Sequence, residues 1–147
     1  MSFINLTWNS QSKVKLLANL MKLNLNVKSG AIKGLKETAK SIMTESVMQC
    51  PIDTGALVTS EYIEQPVEDF NGISITMGYG GPNDKLNTKT NKMASEYAWE
   101  VHEDLYQRHP KGGNAKFLEL PVRAYQTAFL GTLAEAIEIE LPKGVTP

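Results

Sequence analysis

The sequence predicts an α+β domain, with N-terminal helices and a C-terminal helix packed on one face of a small, mainly antiparallel β-sheet. Three patterns carry that prediction. Apolar residues at 3-then-4 spacing run from Ile32 to Val47, strict alternation occupies 73–79, and a second helical stripe runs from Val122 to Ile137. At 147 residues the chain suits one domain with its own core, and 41% apolar and 21% charged residues are ordinary for a globular protein.

The elements follow in order. "FINLTW" (3–8) has strand composition. "SKVKLLANLMKL" reads as a short helix with Leu16, Leu17, Leu20 and Leu23 inward, and Asn24 and Asn26 interrupt it. A longer helix is expected over 27–48, with Ile32, Leu35, Ala39, Ile42, Met43 and Val47 inward and Lys33, Lys36 and Lys40 on another face. Gly30 and Gly34 weaken its first turns, and Pro51 ends it.

Strand patterns come next. "VTSEYIEQPV" (58–67) is β-branched and aromatic, but Pro66 confines it to a sheet edge or a bulge. "DFNG" (69–72) carries the Asn-Gly hairpin signal. Ile73, Ile75, Met77 and Tyr79 then alternate with small or polar residues, as in a half-buried strand. Residues 80–92 have almost no apolar residue and no period, which predicts a long exposed loop. The alternation of Tyr97, Trp99 and Val101 suggests a further strand. After the "HPKGGN" break, a last helix is expected from about Pro121, a residue suited to the first helical position, to just before Pro142.

That last helix has no charge between Ala124 and Ala134. A helix on a monomer's surface normally carries a charged outer face, so Tyr125, Phe129, Leu130 and Leu133 are expected to meet a neighbouring copy, and Gly131 would let another backbone come close. A head-to-tail contact of this kind, repeated with closure, makes a ring. The charge is polarised: residues 1–50 hold seven lysines and two glutamates, whereas 51–92 and 93–147 each sum to −3. The lysine face of Lys33, Lys36 and Lys40 suits solvent or a subunit contact, with DNA phosphate a third option.

No stretch approaches the roughly 20 apolar residues of a membrane span. The first residues lack a secretory pattern, and the single cysteine, Cys50, has no internal disulfide partner, which together predict synthesis in a reducing compartment.

Chemistry-bearing patterns are few. Asp53-Thr54-Gly55 matches the catalytic loop of a retroviral-type aspartic protease, in which two carboxylates share a proton across a dimer. Such an enzyme needs strands around that loop and an apolar-apolar-Gly segment late in the chain; the nearest match, 129–131, falls in a predicted helix. The structural reading is a helix-to-strand turn in which Asp53 bonds backbone N–H groups, Gly55 takes a positive φ and Leu57 enters the core. His102 and His109 lack a close-spaced ligand pair for a metal, Cys50 lacks an activating neighbour, and "GYGG" (78–81) lacks the lysine and helix of a phosphate loop. No catalytic, cofactor or metal site is expected.

Two blocks carry a resemblance. "CPIDTGALVTS" (50–60), after a long helix, resembles the Pro-Val-Asp-Thr-Gly-x-Leu-x-x-Ser segment of the minor capsid and tail-completion proteins of tailed bacteriophages. "YAWEVHEDLYQRHPKGGNAKFLELPV" (97–122) is similar to that family's second block. Val58 stands where the family often has arginine or lysine, and the 80–92 loop is longer than usual. The resemblance implies a virion component made in the host cytoplasm: a ring of identical subunits at the head–tail junction, touching neighbouring neck and tail proteins around the DNA channel, with no cofactor and no membrane. Asp53, Thr54 and Gly55 would then fix a turn, while Phe117, Leu118, Glu119 and Pro121 would anchor the start of the last helix, with Glu119 favouring its N-terminus. The alternatives are a homodimeric aspartic protease using Asp53 and a monomeric α+β binding module.

Overall fold

The computed structural model describes residues 10–70, 72–106 and 109–142. The strand expected at 3–8 lies outside them, as does Asn71 of the hairpin signal. The architecture is α+β. A long N-terminal helix, α1 (Ser10–Gln49), packs against the C-terminal helices α3 (Glu119–Gln126) and α4 (Phe129–Glu140) and against small antiparallel β elements.

α1 corrects the expected pair of helices. It runs unbroken through Asn24 and Asn26, because each asparagine costs a helix only about 0.7 kcal/mol and neither proline nor glycine lies between them. Of the expected inward face of the first segment, Leu20 is exposed and Leu23 only half buried, while the side chains of Leu16 and Leu17 lie outside those described. Further along, Ala39, Ile42 and Met43 are buried as the spacing predicts, and Lys33, Lys36 and Lys40 are exposed.

The glycines of α1 make the main helix contact possible. A Cβ on Gly30 would stand 2.5 Å from the Ile137 Cα, and one on Gly34 would stand 3.1 Å from the Ala136 Cβ and 3.2 Å from the Leu133 Cα. Position 30 therefore meets 137 and position 34 meets 133, which sets α1 and α4 antiparallel. The helix-propensity cost of two glycines is offset by this close approach.

The β structure is narrower than the expected sheet. β1 (Glu61–Ile63) pairs with β4 (Met77–Tyr79), and β2 (Val67–Asp69) pairs with β3 (Gly72–Ser74), both antiparallel. They form one hairpin ribbon in which residues 64–66 face only 75 and 76, so Pro66 sits at a bulge where no ladder N–H is needed. The expected continuous strand 73–79 is split there into β3 and β4. Residues 80–92 form a 3₁₀ turn at Gly81–Asn83 and one side of a minimal hairpin between β5 (Leu86–Asn87) and β6 (Lys92–Met93). Most of this segment is exposed, but Asn87 is buried and its side-chain oxygen accepts the Lys89 N–H at 3.0 Å.

The strand expected at 97–101 is a helix, α2 (Ala94–Glu103). Ala94, Tyr97, Ala98 and Val101 face inward at helical spacing, while Trp99 is exposed, so the 97-99-101 alternation misled. Two carboxylates cap α2: Glu96 accepts the Met93 N–H, and Asp84 accepts the Ser95 N–H at 3.0 Å. The last helix starts two residues earlier than expected, making Pro121 its third residue, and breaks at Thr127 and Ala128. There the Ala128 N–H turns to the Tyr125 carbonyl at 3.1 Å, and the Thr127 hydroxyl donates to the Ala124 carbonyl.

Candidate functional site

The two sequence blocks fold onto each other at the C-terminal end of α1. Cys50, Leu57, Ala94 and Phe117 form a buried cluster, with Tyr79, Tyr97, Val101 and Leu118 packed around it. Phe117 is 1% exposed and meets Tyr79 and His102 edge to face, at centroid distances of 5.1 and 5.0 Å. Ser46, fully buried on α1, lies 2.8 Å from the Tyr79 hydroxyl.

Backbone contacts complete the joint. The Asn114 N–H donates to the Gln49 carbonyl at 2.8 Å, and Lys111 Nζ donates to the Asp53 carbonyl at 2.9 Å. Gly113, at φ +96°, lies against the Pro51 backbone with no room for a Cβ.

The turn at 53–55 departs from expectation in one respect. Among the described residues the Asp53 carboxylate accepts no backbone N–H; it is exposed and pairs with Lys89, and that bond holds it below the usual carboxylate range. The Thr54 hydroxyl instead accepts the Ala56 N–H at 3.4 Å. Gly55 has φ +88° and Leu57 is 5% exposed, both as a helix-to-strand turn requires.

At the start of α3, Phe117 and Pro121 are buried and Leu118 is half buried. Glu119 opens the helix and pairs with Lys116 at 3.0 Å and with Arg123 at 2.5 Å. His102 links the two blocks: its Nδ1 lies 2.7 Å from the Glu103 carboxylate and its Nε2 accepts the Glu119 N–H at 3.3 Å. This pattern assigns the ring proton to Nδ1. Lys116 also pairs with Glu103. Bonding to Lys116 draws Glu119 down and, with His102 adding to it, Glu103 also; the two carboxylates in turn raise Lys116.

Between the 51–57 turn, the β5–β6 hairpin, α2 and residues 109–111 lies a cleft of about 410 Å³. Its apolar wall is Pro51, Ile52, Leu57, Tyr97 and Val101, and Lys92, Lys111 and Glu100 line it with charge. His109 borders it, and its Nε2 is buried with no hydrogen-bond partner among the described residues. Cys50 is shut away beneath, and burial pushes its thiol up to about 12. Among the described residues no group of three His, Cys, Asp or Glu side chains could hold a metal ion.

Of the four residues expected at a subunit contact, only Leu130 is strongly exposed; Tyr125 and Phe129 are half buried, and Leu133 packs on Gly34. Gly131 has open space around it. Lys33 pairs with Glu140 across the α1–α4 contact. The sequence reading missed the exposed apolar turns at the start of α1, where Leu20, Met21 and Leu25 stand in solvent. The expected inward set of that segment includes Leu20 but neither Met21 nor Leu25, whose i, i+4 spacing is the signal that marks the strip.

Fold and site thus define a class: an α+β domain whose chain segments 50–60 and 97–122 pack on each other at the end of α1, with helix faces left uncovered at its periphery. No family model, curated protein or solved structure matches the chain.

Proposed function

We propose that this chain is a structural virion protein of a tailed phage, forming a ring at the head–tail junction that joins or completes the tail. The observation that carries the reading is uncovered apolar helix surface: Leu20, Met21 and Leu25 on α1, and Leu130 and Ile139 on α4, are each more than half exposed. Apolar residues grouped on a helix face favour a protein partner. The resemblance of blocks 50–60 and 97–122 to tail-completion proteins supports the same reading, since their residues act here as joint and turn.

The dimeric protease reading draws less support. It needs two Asp53 carboxyls sharing a proton, whereas the Lys89 ion pair favours the ionised form. Of the three lysines expected on one face of α1, Lys33 pairs with Glu140, whereas Lys36 and Lys40 are exposed with no ion pair among the described residues.

Light scattering combined with electron microscopy of the same sample tests the proposal. A mass that is a whole multiple of the 16.2 kDa chain, with closed rings in the images, is expected. A monomer at every concentration up to the solubility limit overturns it. Asp53→Ala tests the other reading: peptide cleavage by the parent protein that vanishes in the variant would replace the ring proposal with the protease.

A further inference from the structure

Residues 18–25 of α1 lie beyond the stretch around Gly30 and Gly34 on which α4 packs. α4 ends at Glu140, and Gly30 already lies opposite Ile137. From 18 to 25 only Leu23 is half buried, and the other seven residues are exposed. Met21 and Leu25, one turn apart, form an apolar strip with Leu20 beside it, and Lys22 adjoins them.

The outer face of α4 has the complementary character. Leu130, Ala134 and Glu138 lie in one row, and Gly131, Glu135 and Ile139 in the next, all exposed. Glu135 and Glu138 have no ion pair among the described residues, and neither has Lys22. Residues 1–36 contain six lysines and no acid; residues 124–142 contain three glutamates and no lysine or arginine. The inner face of α4 already uses this chemistry within the chain: small residues let α1 come close, and Lys33 of α1 pairs with Glu140. Gly131, with nothing within 4 Å of its Cβ position, gives the outer face the same room for a second helix.

We infer that residues 18–25 of α1 dock on the outer face of α4 of a second copy of this chain, Leu20, Met21 and Leu25 against Leu130, Ala134 and Ile139, with Lys22 facing Glu135 and Glu138. This rests on the ring reading and supplies its contact. The two surfaces are different parts of the molecule, so the contact can repeat head to tail from copy to copy, and it makes a ring where the rotation between copies closes. The docked arm covers the apolar strip that α4 of its own chain is too short to reach. Opposite charges on the two helices fix its orientation and disfavour arm-to-arm pairing, which would set lysine against lysine.

Two full-length proteins, one carrying Met21→Cys and the other Leu130→Cys, are mixed and treated with a short bismaleimide; Cys50 is buried and stays silent. A covalent dimer containing one of each is expected. Dimers of Met21→Cys with itself would show arm-to-arm pairing and overturn the inference. In parallel, Lys22→Glu is expected to weaken self-association by about tenfold, and Glu138→Lys in the same chain to restore most of it. Circular dichroism checks that each variant is folded. If scattering shows rings but the mixed cross-link is absent and Lys22→Glu changes nothing, the arm contact is wrong and the ring stands. If the parent never associates, the ring reading falls and the arm contact with it.

Discussion

Gly30 of α1 faces Ile137 of α4 so closely that a methyl group at position 30 would stand 2.5 Å from the Ile137 Cα and 2.8 Å from the Ala136 carbonyl oxygen. Both neighbours are backbone, so neither yields by a rotamer change. Gly30→Ala gains about 1 kcal/mol of helix propensity but forces the two helices apart, an overpacking cost of about 1–3 kcal/mol. A net loss of stability is expected in urea unfolding. Gly34→Ala meets the Ala136 methyl and Leu133 at 3.1–3.3 Å, and the two effects should nearly cancel there. Gly131→Ala meets nothing and should stabilise by about 0.5–1 kcal/mol.

Gly112 and Gly113 form a matched pair for the joint between the blocks. Their φ angles are +93° and +96°, so alanine is strained at both, by about 1–2 kcal/mol. Only Gly113 also abuts the Pro51 backbone. Gly113→Ala is expected to destabilise clearly more than Gly112→Ala. Equal losses in parallel denaturation curves would mean that the contact with Pro51 is not formed.

Phe117 fills the space between Tyr79 and His102 and is almost wholly enclosed. Phe117→Ala should cost about 3–5 kcal/mol, and Phe117→Leu, which keeps most of the volume, about half as much or less. Calorimetry of the two variants provides the comparison.

The Glu103–Lys116–Glu119 cluster makes part of the stability depend on pH. Both carboxylates are depressed from the ordinary 4.5, so their contribution is complete above that value and is lost as pH falls through their lower folded-state values. Lys116 is raised from 10.5, so its contribution is complete below that value and lost as pH rises through the higher folded one. Acid unfolding of Glu103→Gln should therefore show a smaller loss of stability below pH 4.5 than the parent. The two proteins should run parallel between neutral pH and pH 6.

Local patterns made part of this molecule readable in advance. The 3-then-4 spacing at 32–47 placed the buried face of α1, Pro66 marked the ribbon's bulge, and Gly55 announced a positive φ. What escaped depends on partners distant in sequence. Asp53 was expected to bond its own turn, but the cation that claims it is Lys89, 36 residues on. Asp84 caps α2 from 11 residues upstream, so the strand-like run Tyr97, Trp99, Val101 folds as a helix. Gly30 and Gly34 read as weaknesses because their value lies entirely in α4, which is more than 90 residues away. Of the proposed subunit surface, the uncharged run that contains Leu130 was apparent, whereas the exposure of Leu20 and Met21 emerges only once α4 is seen to be short.

The unbroken rod of α1 fixes an azimuth as well as a reach. Met21 stands about 14 Å up the axis from Gly30, and every residue between them adds about 100° of rotation. The compass bearing of the arm is thus clocked by the seat of Gly30 on Ile137. One extra residue spliced in after Asn26 would barely lengthen the lever, yet would swing its greasy side about a quarter-turn out of phase, whereas seven would bring it back to within about 20°. The lean of each copy toward the next would then be written in the phase of a single helix.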